Sequence, residues 1–256
     1  MTDINDIDRE WFKKWFNCEY LQLYGHRDQS EADSFIDYLL ESGWIRAGER
    51  VLDAGCGAGR HMKSILGKGA DVFGIDLSAD LLTESQRLHG GSLARRVVRG
   101  DVRYLPFKRV FDSVLSLFTG FGYFSEAENA ALVKVFHSVL KPGGRILIDV
   151  FNPGRTIDEL EKYSRKAIEN RVIEEYRDYC SEENRINKRI VITKDGEMTE
   201  YYESVVCYSV KDFRDLFNKA GFKILRIIGD YKGWEYNDDS KRLIIMGEKI
   251  EIDTVQ

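Results

Sequence analysis

The sequence predicts an α/β protein: a doubly wound, seven-stranded, mostly parallel sheet with its last strand antiparallel, plus an inserted antiparallel β meander. Three observations carry this. From Arg50 to Phe151 short β-branched runs alternate with helical stretches, and strands separated by helices pair in parallel through right-handed crossovers. From about Arg171 to Tyr208 consecutive strands follow one another, joined by SEEN and by the Asp195-Gly196 hairpin signal. The two closing strands are separated only by YKGWEYNDDSK, too short for a crossover helix, so they pair antiparallel.

Each element has its own signal. WFKKWFNCEYLQLYGHRD and EADSFIDYLLESG carry apolar residues at helical spacing, and Gly43 stops the second. RVLDAG, DVFGIDL, RRVVRGD, FDSVLSLF and RILIDVF read as strands one to five. Between them, HMKSILGKG, ADLLTESQRLHG and EAENAALVKVFHSVLKPGG read as helices. RVIEEYRDYC, RINKRIVITKDG and EMTEYYESVVCYS form the meander, VKDFRDLFNKAG is a helix, and FKILRIIGD and RLIIMGEKI close the sheet. The domain expectation is an N-terminal helical cap over 1–30, a core over 31–154 and 209–250, and an inserted lid, substrate or dimerisation element over 155–208.

Composition narrows the partners. With 256 residues and 43% hydrophobic content, the chain can bury a substantial core. A net charge of -5 and a pI near 5.6 disfavour nucleic acid as a bulk partner, because nucleic-acid binders usually show a basic stripe. Cys18, Cys56, Cys180 and Cys207 form no CxxC pair, so neither zinc nor redox chemistry is readable and no metal is expected. MTDINDIDRE lacks an apolar leader and no run reaches membrane-spanning length; the expectation is a cytoplasmic protein without a membrane partner.

VLDAGCGAGR places Gly55, Gly57 and Gly59 between the first strand and a helix, and the sixth position of the dinucleotide fingerprint is Arg60. That weakens a pyrophosphate reading. Glycines still let a ligand approach the backbone, and a helix N-terminus offers N–H groups to a carboxylate as well as to a phosphate. Asp53 lies on the first strand, Asp76 ends the second in FGIDLS, and Asp101 ends the third in RGDVRYLPF. One such carboxylate is commonly a helix cap, but three in register at adjacent strand ends mark where α/β sheets bind ligands, with Asp76 spaced to take a ribose.

The stretch FTGFGYF follows the fourth strand. Two glycines there argue that the strand stops near Leu117, which leaves four aromatics in a loop that asks for a ligand. Gly120 and Gly122 are expected to make the turn, Leu117 and Phe118 to end the strand, and Phe121 to Phe124 to face what binds.

In this order and spacing, DAGCGAGR, GIDLS, GDVRYLPF, FDSVLSLF and VLKPGGRILIDV closely resemble the class I, Rossmann-like, S-adenosylmethionine-dependent methyltransferases, over roughly Arg50 to Asn152. FTGFGYF is similar to the FTSFGYF-like segment of bacterial small-molecule methyltransferases, with some likeness to glycine and nucleotide-sugar N-methyltransferases; Gly120 stands where serine is usual. The resemblance implies S-adenosylmethionine as cofactor. It puts Gly55 and Gly57 against the methionine moiety, Asp76 on the ribose and Leu77 beside the adenine. It further puts Asp101 and Val102 at the adenine amino group, and Leu117 and Phe118 beside the sulfonium, where aromatic faces attract a cation. EYLQLYGHRD is similar to a Tyr-rich cap in some of these enzymes, with Tyr20, Tyr24 and Arg27 toward the cofactor and Arg27 able to pair with its carboxylate. The same residues also suit plain packing on the domain.

The implied reaction is methyl transfer by in-line displacement to an O or N nucleophile of a small-molecule acceptor. It needs alignment and desolvation more than acid–base chemistry. If a base or positioning hydroxyl is used, His26, Tyr123 and Tyr231 are the candidates; His61, His89 and His137 read as structural. DNA amino-methylation is disfavoured: Asn152-Pro153 lacks the second proline and the aromatic of the [DN]PP[YF] tetrad. The meander and the loop Gly229 to Tyr236, with Tyr231, Trp234 and Tyr236, are expected to close over the strand ends, and an exposed meander edge could pair in a homodimer. Competing readings are a protein or RNA-nucleoside methyltransferase, a non-catalytic cofactor sensor on the same fold and, more distantly, an NAD-dependent oxidoreductase.

Overall fold

The structure, a computed structural model, describes residues 7–24 and 29–250. Three helices come first: α1 (Phe12–Trp15), α2 (Cys18–Tyr24) and α3 (Gln29–Glu41). The α/β succession is β1 (Arg50–Ala54), α4 (Arg60–Gly67), β2 (Asp71–Asp76), α5 (Ala79–His89), β3 (Val97–Arg99), β4 (Phe111–Ser116), α6 (Glu126–Val139) and β5 (Leu140–Phe151). Next are α7 (Pro153–Asp158), β6 (Tyr163–Ile168), β7 (Arg171–Cys180), β8 (Arg185–Lys194) and β9 (Glu197–Val206). The last elements are α8 (Val210–Ala220), β10 (Phe222–Ile228) and β11 (Arg242–Lys249).

Seven strands form one sheet in the order β10-β11-β5-β4-β1-β2-β3, parallel except where β11 pairs with its neighbours. β1 pairs with β2 on one side and β4 on the other, so the strand order reverses there and the carboxyl ends open a crevice. The helices start and stop by local chemistry. Ser125 with Glu128 and Ser209 with Asp212 form capping boxes at α6 and α8, and Gly221 closes α8 in the left-handed conformation.

Alternation along β1 sends Leu52 and Ala54 to one face and Val51 to the other, and an apolar core forms on each. The second core packs α3, α4 and α5 through Phe35, Leu39, Met62, Ile65 and Leu82. The first packs α6 and α8 through Phe136, Phe213 and Phe217, and continues to Trp11, Trp15, Ile173 and Ile190. It therefore joins the N-terminal helices to the second sheet.

That second sheet has four strands, β6-β7-β8-β9, rather than the three the sequence suggests. The added strand, YSRKAI, carries few β-branched residues and several polar or charged ones, the composition of a guarded edge. The expected helix over 126–144 is also shorter: α6 ends at Val139 and β5 begins at Leu140, because Pro142 and Gly143 cannot continue a helix.

Candidate functional site

A cavity of about 620 Å³ lies at the carboxyl ends of the first four strands, lined by Gly55 to Ala58, Asp76 to Ser78, Gly100 to Val102, and Leu117 with Phe118. The glycine loop enters it for two different reasons. Gly55 sits at φ +86°, and a Cβ there would meet nothing within 4 Å, so the backbone is open to a ligand. Gly59, at φ +79°, is needed for packing: a Cβ would lie 2.6 Å from Ser85 Oγ and 2.9 Å from Leu93 Cδ1.

The carboxylates follow. Asp76 Oδ2 accepts the Gly57 N–H at 2.8 Å and Oδ1 accepts the Ser78 N–H at 2.9 Å, which ties the end of β2 to the glycine loop. Burial raises its pKa despite these donors. Asp101 accepts from Arg103 Nη2 at 2.7 Å and from the Arg103 backbone N–H at 2.9 Å. Burial opposes its ionisation, but the Arg103 bonds outweigh it and hold the carboxyl below its usual range. Arg103 also stacks 4.3 Å from the Phe124 ring centre and reaches Glu128 at 2.7 Å, so it spans from the third strand to α6. Leu77 and Val102 supply apolar lining between the two acids.

Asp53 differs. It is 1% exposed and does not line the cavity, and its Oδ2 has no hydrogen-bond partner among the described residues. Burial, then the charge of Asp76, push its pKa up to about 7 against the opposing field of Arg60.

The loop after β4 turns otherwise than its glycines suggest. Phe118 and Thr119 take left-handed φ of 55° and 63°, together with Gly122 at 103°, while Gly120 does not. Such backbone is costly for residues with a Cβ and persists only where neighbours impose it. Here the neighbour is Asp149 on β5. Its carboxylate accepts the Phe118 N–H at 2.7 Å and its backbone carbonyl accepts the Thr119 N–H at 2.9 Å. Arg242 donates to Asp149 at 2.7 Å and to Thr119 Oγ1 at 2.9 Å.

Leu117, Phe118, Gly120, Tyr123 and Phe124 line the cavity. Phe121, expected to face it, is 1% exposed and instead packs on Tyr208 and Phe213 in the first core. The opposite wall is Phe12, Phe16, Tyr20 and Tyr24 from the N-terminal helices. Phe16 lies 5.7 Å from Tyr123 and 5.0 Å from Tyr20, so one aromatic surface runs from the post-β4 loop into α2. Tyr24 is anchored from behind: Lys188 Nζ donates to its hydroxyl at 2.6 Å and to Glu203 at 2.9 Å, and Trp15 Nε1 donates to Glu203 at 2.5 Å. Burial, then Glu203, push the Tyr24 phenol up to about 12.

Tyr231 is not brought to the cavity. Its hydroxyl donates to Asp149 Oδ2 at 2.9 Å and its ring packs 4.6 Å from Phe35, so it braces the loop from the core side. Trp234 is 71% exposed and Tyr236 donates to Asn152 Oδ1 at 3.0 Å; neither closes over the cavity, because their loop packs against α3 and the start of α7. His26 and Arg27 lie outside the described residues. His61 does line the cavity, but burial, then Arg60, push it down to about 3, so it stays neutral. His89 sits beside the glycine loop, its Nε2 3.1 Å from Ala58 O.

Lining residues that the sequence did not place at the site include Phe12, Phe16, Gln29 and Arg60. The aromatic density of WFKKWF could have signalled the first two. Arg60 reads locally as a departure from a dinucleotide motif; in space its guanidinium lies 5.1 Å from the Phe118 ring centre. Among the described residues no group of three or more His, Cys, Asp and Glu could hold a metal ion, and no helix is long and apolar enough to cross a membrane.

A methyltransferase-domain family matches residues 51–144. The glycine/sarcosine N-methyltransferase of Aphanothece halophytica is 27% identical over 258 residues, covering 96% of this chain and 90% of its own. The dTDP-3-amino-3,4,6-trideoxy-alpha-D-glucopyranose N,N-dimethyltransferase of Streptomyces venezuelae is 34% identical over 101 residues, covering 39% of this chain and 41% of its own. Among solved structures, an S-adenosylmethionine-dependent methyltransferase from Clostridium acetobutylicum superposes with a TM-score of 0.77 at 16% identity, over 91% of this chain and 98% of its own.

Proposed function

We propose that this chain, an S-adenosylmethionine-dependent methyltransferase of the class I, Rossmann-like type, methylates a nitrogen of a small-molecule amine by in-line displacement. The observation that carries the reading is a single cavity with two unlike ends: glycine backbone and carboxylates at one, a continuous aromatic wall at the other.

The first end fits the cofactor. The open backbone at Gly55 and Gly57 suits the methionine moiety, Asp76 the ribose hydroxyls, and Leu77 and Val102 with Asp101 the adenine. When bound, S-adenosylmethionine supplies a methyl group on a positively charged sulfur. Leu117 and Phe118 line the cavity where the two ends meet, and the Phe118 ring also packs near the Arg60 and Arg242 guanidinium groups, at 5.1 and 5.6 Å.

At the second end Phe12, Phe16, Tyr20, Tyr24 and Tyr123 exclude water and orient the acceptor. Nitrogen is favoured over oxygen by what the described wall offers as a base. Of the histidines that line the cavity, His61 is held neutral with little affinity for a proton and burial also lowers the pKa of His89, whose Nε2 lies against Ala58 O; the Tyr24 phenol is too weak an acid to ionise near neutrality. An amine that has already lost its ammonium proton to solvent attacks with a free lone pair, whereas a hydroxyl must give up its proton as it attacks. The relatives named as glycine/sarcosine and amino-sugar N-methyltransferases support the same choice. In this reading Tyr123 positions the acceptor, α1 and α2 cap the site, and the four-stranded sheet backs the cap.

Calorimetric titration with S-adenosylmethionine, S-adenosylhomocysteine and NAD, followed by turnover on a panel of small amines and phenols, tests the proposal. Binding of both sulfur ligands and methylation of amines is expected. Turnover confined to phenols, or binding of NAD alone, overturns it.

A further inference from the structure

We infer that Arg103, which does not itself line the cavity, is a positioning residue: it fixes the Asp101 carboxylate as an acceptor for the adenine amino group and ties that end of the site to the aromatic wall. The inference rests on the reading of Asp101 as the adenine contact. Three residues that do line the cavity, Asp101, Phe124 and Phe12, meet at this one guanidinium. On the carboxylate, Arg103 Nη2 donates to Oδ2 at 2.7 Å, and Nε lies between the two oxygens, 3.1 Å from Oδ1 and 3.2 Å from Oδ2. The Arg103 backbone N–H donates to Oδ1 at 2.9 Å, and the Tyr104 N–H closes the turn on the Asp101 carbonyl at 3.0 Å.

The carboxylate is nearly saturated by its own neighbour. An ionised carboxylate offers about four lone-pair positions. The Arg103 backbone N–H, Nε and Nη2 occupy three of them, which leaves about one for a donor arriving from the cavity. A planar fork held side-on also fixes the plane of the carboxylate, so the remaining position has one direction. The ligand then meets an acceptor whose ordering has already been met by the fold. The guanidinium is held in turn. Nη1 donates to Glu128 on α6 at 2.7 Å, and the group lies 4.3 Å from the Phe124 ring centre and 5.8 Å from that of Phe12. Those two rings meet edge-on at 5.2 Å. With side chains 17% and 18% exposed, Arg103 and Asp101 form a pair largely shielded from water, where such a bond is stronger than at an open surface. One residue thus serves both the adenine contact and the packing of the aromatic wall.

The test compares the full-length chain with Arg103→Met and Arg103→Lys. Each is titrated calorimetrically with S-adenosylhomocysteine and with its 6-deamino analogue, in which hydrogen replaces the adenine amino group. The parent is expected to prefer S-adenosylhomocysteine. Arg103→Met is expected to weaken S-adenosylhomocysteine at least about tenfold and the deamino analogue by less than about threefold, so that the preference narrows. Lysine keeps the charge and loses the fork, and is expected to narrow the preference at least about threefold. If the methionine variant does not fold, Arg103→Lys decides the question by that measure. Equal weakening of both ligands would make Arg103 a purely structural residue, and a wider preference would mean that it competes with the amino group for Asp101; either result, or no change, overturns the inference. Those outcomes presuppose a parent that prefers S-adenosylhomocysteine and concern Arg103 alone. A parent that binds both ligands alike, or neither, instead overturns the reading of Asp101 and takes the inference with it.

Discussion

Asp149 holds Phe118: a fully buried carboxylate on β5 accepts the amide of a left-handed residue at the cavity floor, at 2.7 Å. The same carboxylate takes Arg242 at 2.7 Å and Tyr231 at 2.9 Å, so one anion satisfies three donors. Replacing it with asparagine leaves the Arg242 cation buried without its counter-charge. Asp149→Asn is expected to lower stability by roughly 3–5 kcal/mol in chemical denaturation, and to weaken S-adenosylhomocysteine binding in the protein that remains folded. A variant as stable as the parent would show that the pair does not hold the loop.

In the proposed reading Asp76 holds the ribose. Asp76→Ala removes both its acceptor oxygens and releases the Gly57 and Ser78 amides. A loss of about 1.5–3 kcal/mol in S-adenosylmethionine affinity, roughly ten- to 150-fold, is expected by calorimetry. Unchanged affinity would remove Asp76 from the cofactor site.

Asp53 makes a pH-dependent contribution whose sign is fixed by its raised pKa. An unfolded aspartate ionises near pH 4, while burial delays Asp53 to about 7 in the native protein. Between those values the native state binds the extra proton, so stability falls as pH rises and levels off above about 7, by up to roughly 4 kcal/mol. Thermal melts of the cofactor-free protein should show Asp53→Asn more stable than the parent at pH 8. The gap should close toward pH 4; a gap independent of pH would refute the assignment.

Lys188 anchors the aromatic wall to the second sheet through Tyr24, Glu203 and, at 3.5 Å, Glu175. Lys188→Met leaves Glu203 without its cation and Glu175 with Arg177 alone, and should cost roughly 3–5 kcal/mol in urea unfolding. Tyr24→Phe keeps the ring and loses only the hydroxyl, so about 1 kcal/mol is expected. Equal costs for the two would mean that the lysine, not the carboxylates, is what the network stabilises.

The parts legible in the sequence are those whose cause is local. The glycine loop, Asp76, Asp101 and the strand ends share one contiguous stretch whose spacing reflects a strand, a turn and a helix. The loop after β4 was only half legible. Its aromatics announce a site, but its turn is made by Phe118 and Thr119, and no neighbour in sequence explains why they tolerate left-handed backbone. That explanation sits 31 residues away at Asp149. Arg185 is likewise 62 residues from the Tyr123 carbonyl it holds, inside a strand where arginine looks like ordinary surface charge. Tyr231 and Phe121 mislead for the complementary reason: both aromatics lie beside the site in sequence and pack into the core, and only packing decides that direction.

The bond between Trp15 and Glu203 spans 188 residues of chain. Protein synthesis runs from the N-terminus at about 5–20 residues per second, so the aromatic helices emerge roughly 10–40 s before the strand that anchors them. For that interval Trp11, Phe12, Trp15 and Phe16 have no finished sheet to lie against. The segment that walls the cavity is thus made well before the strand that secures it.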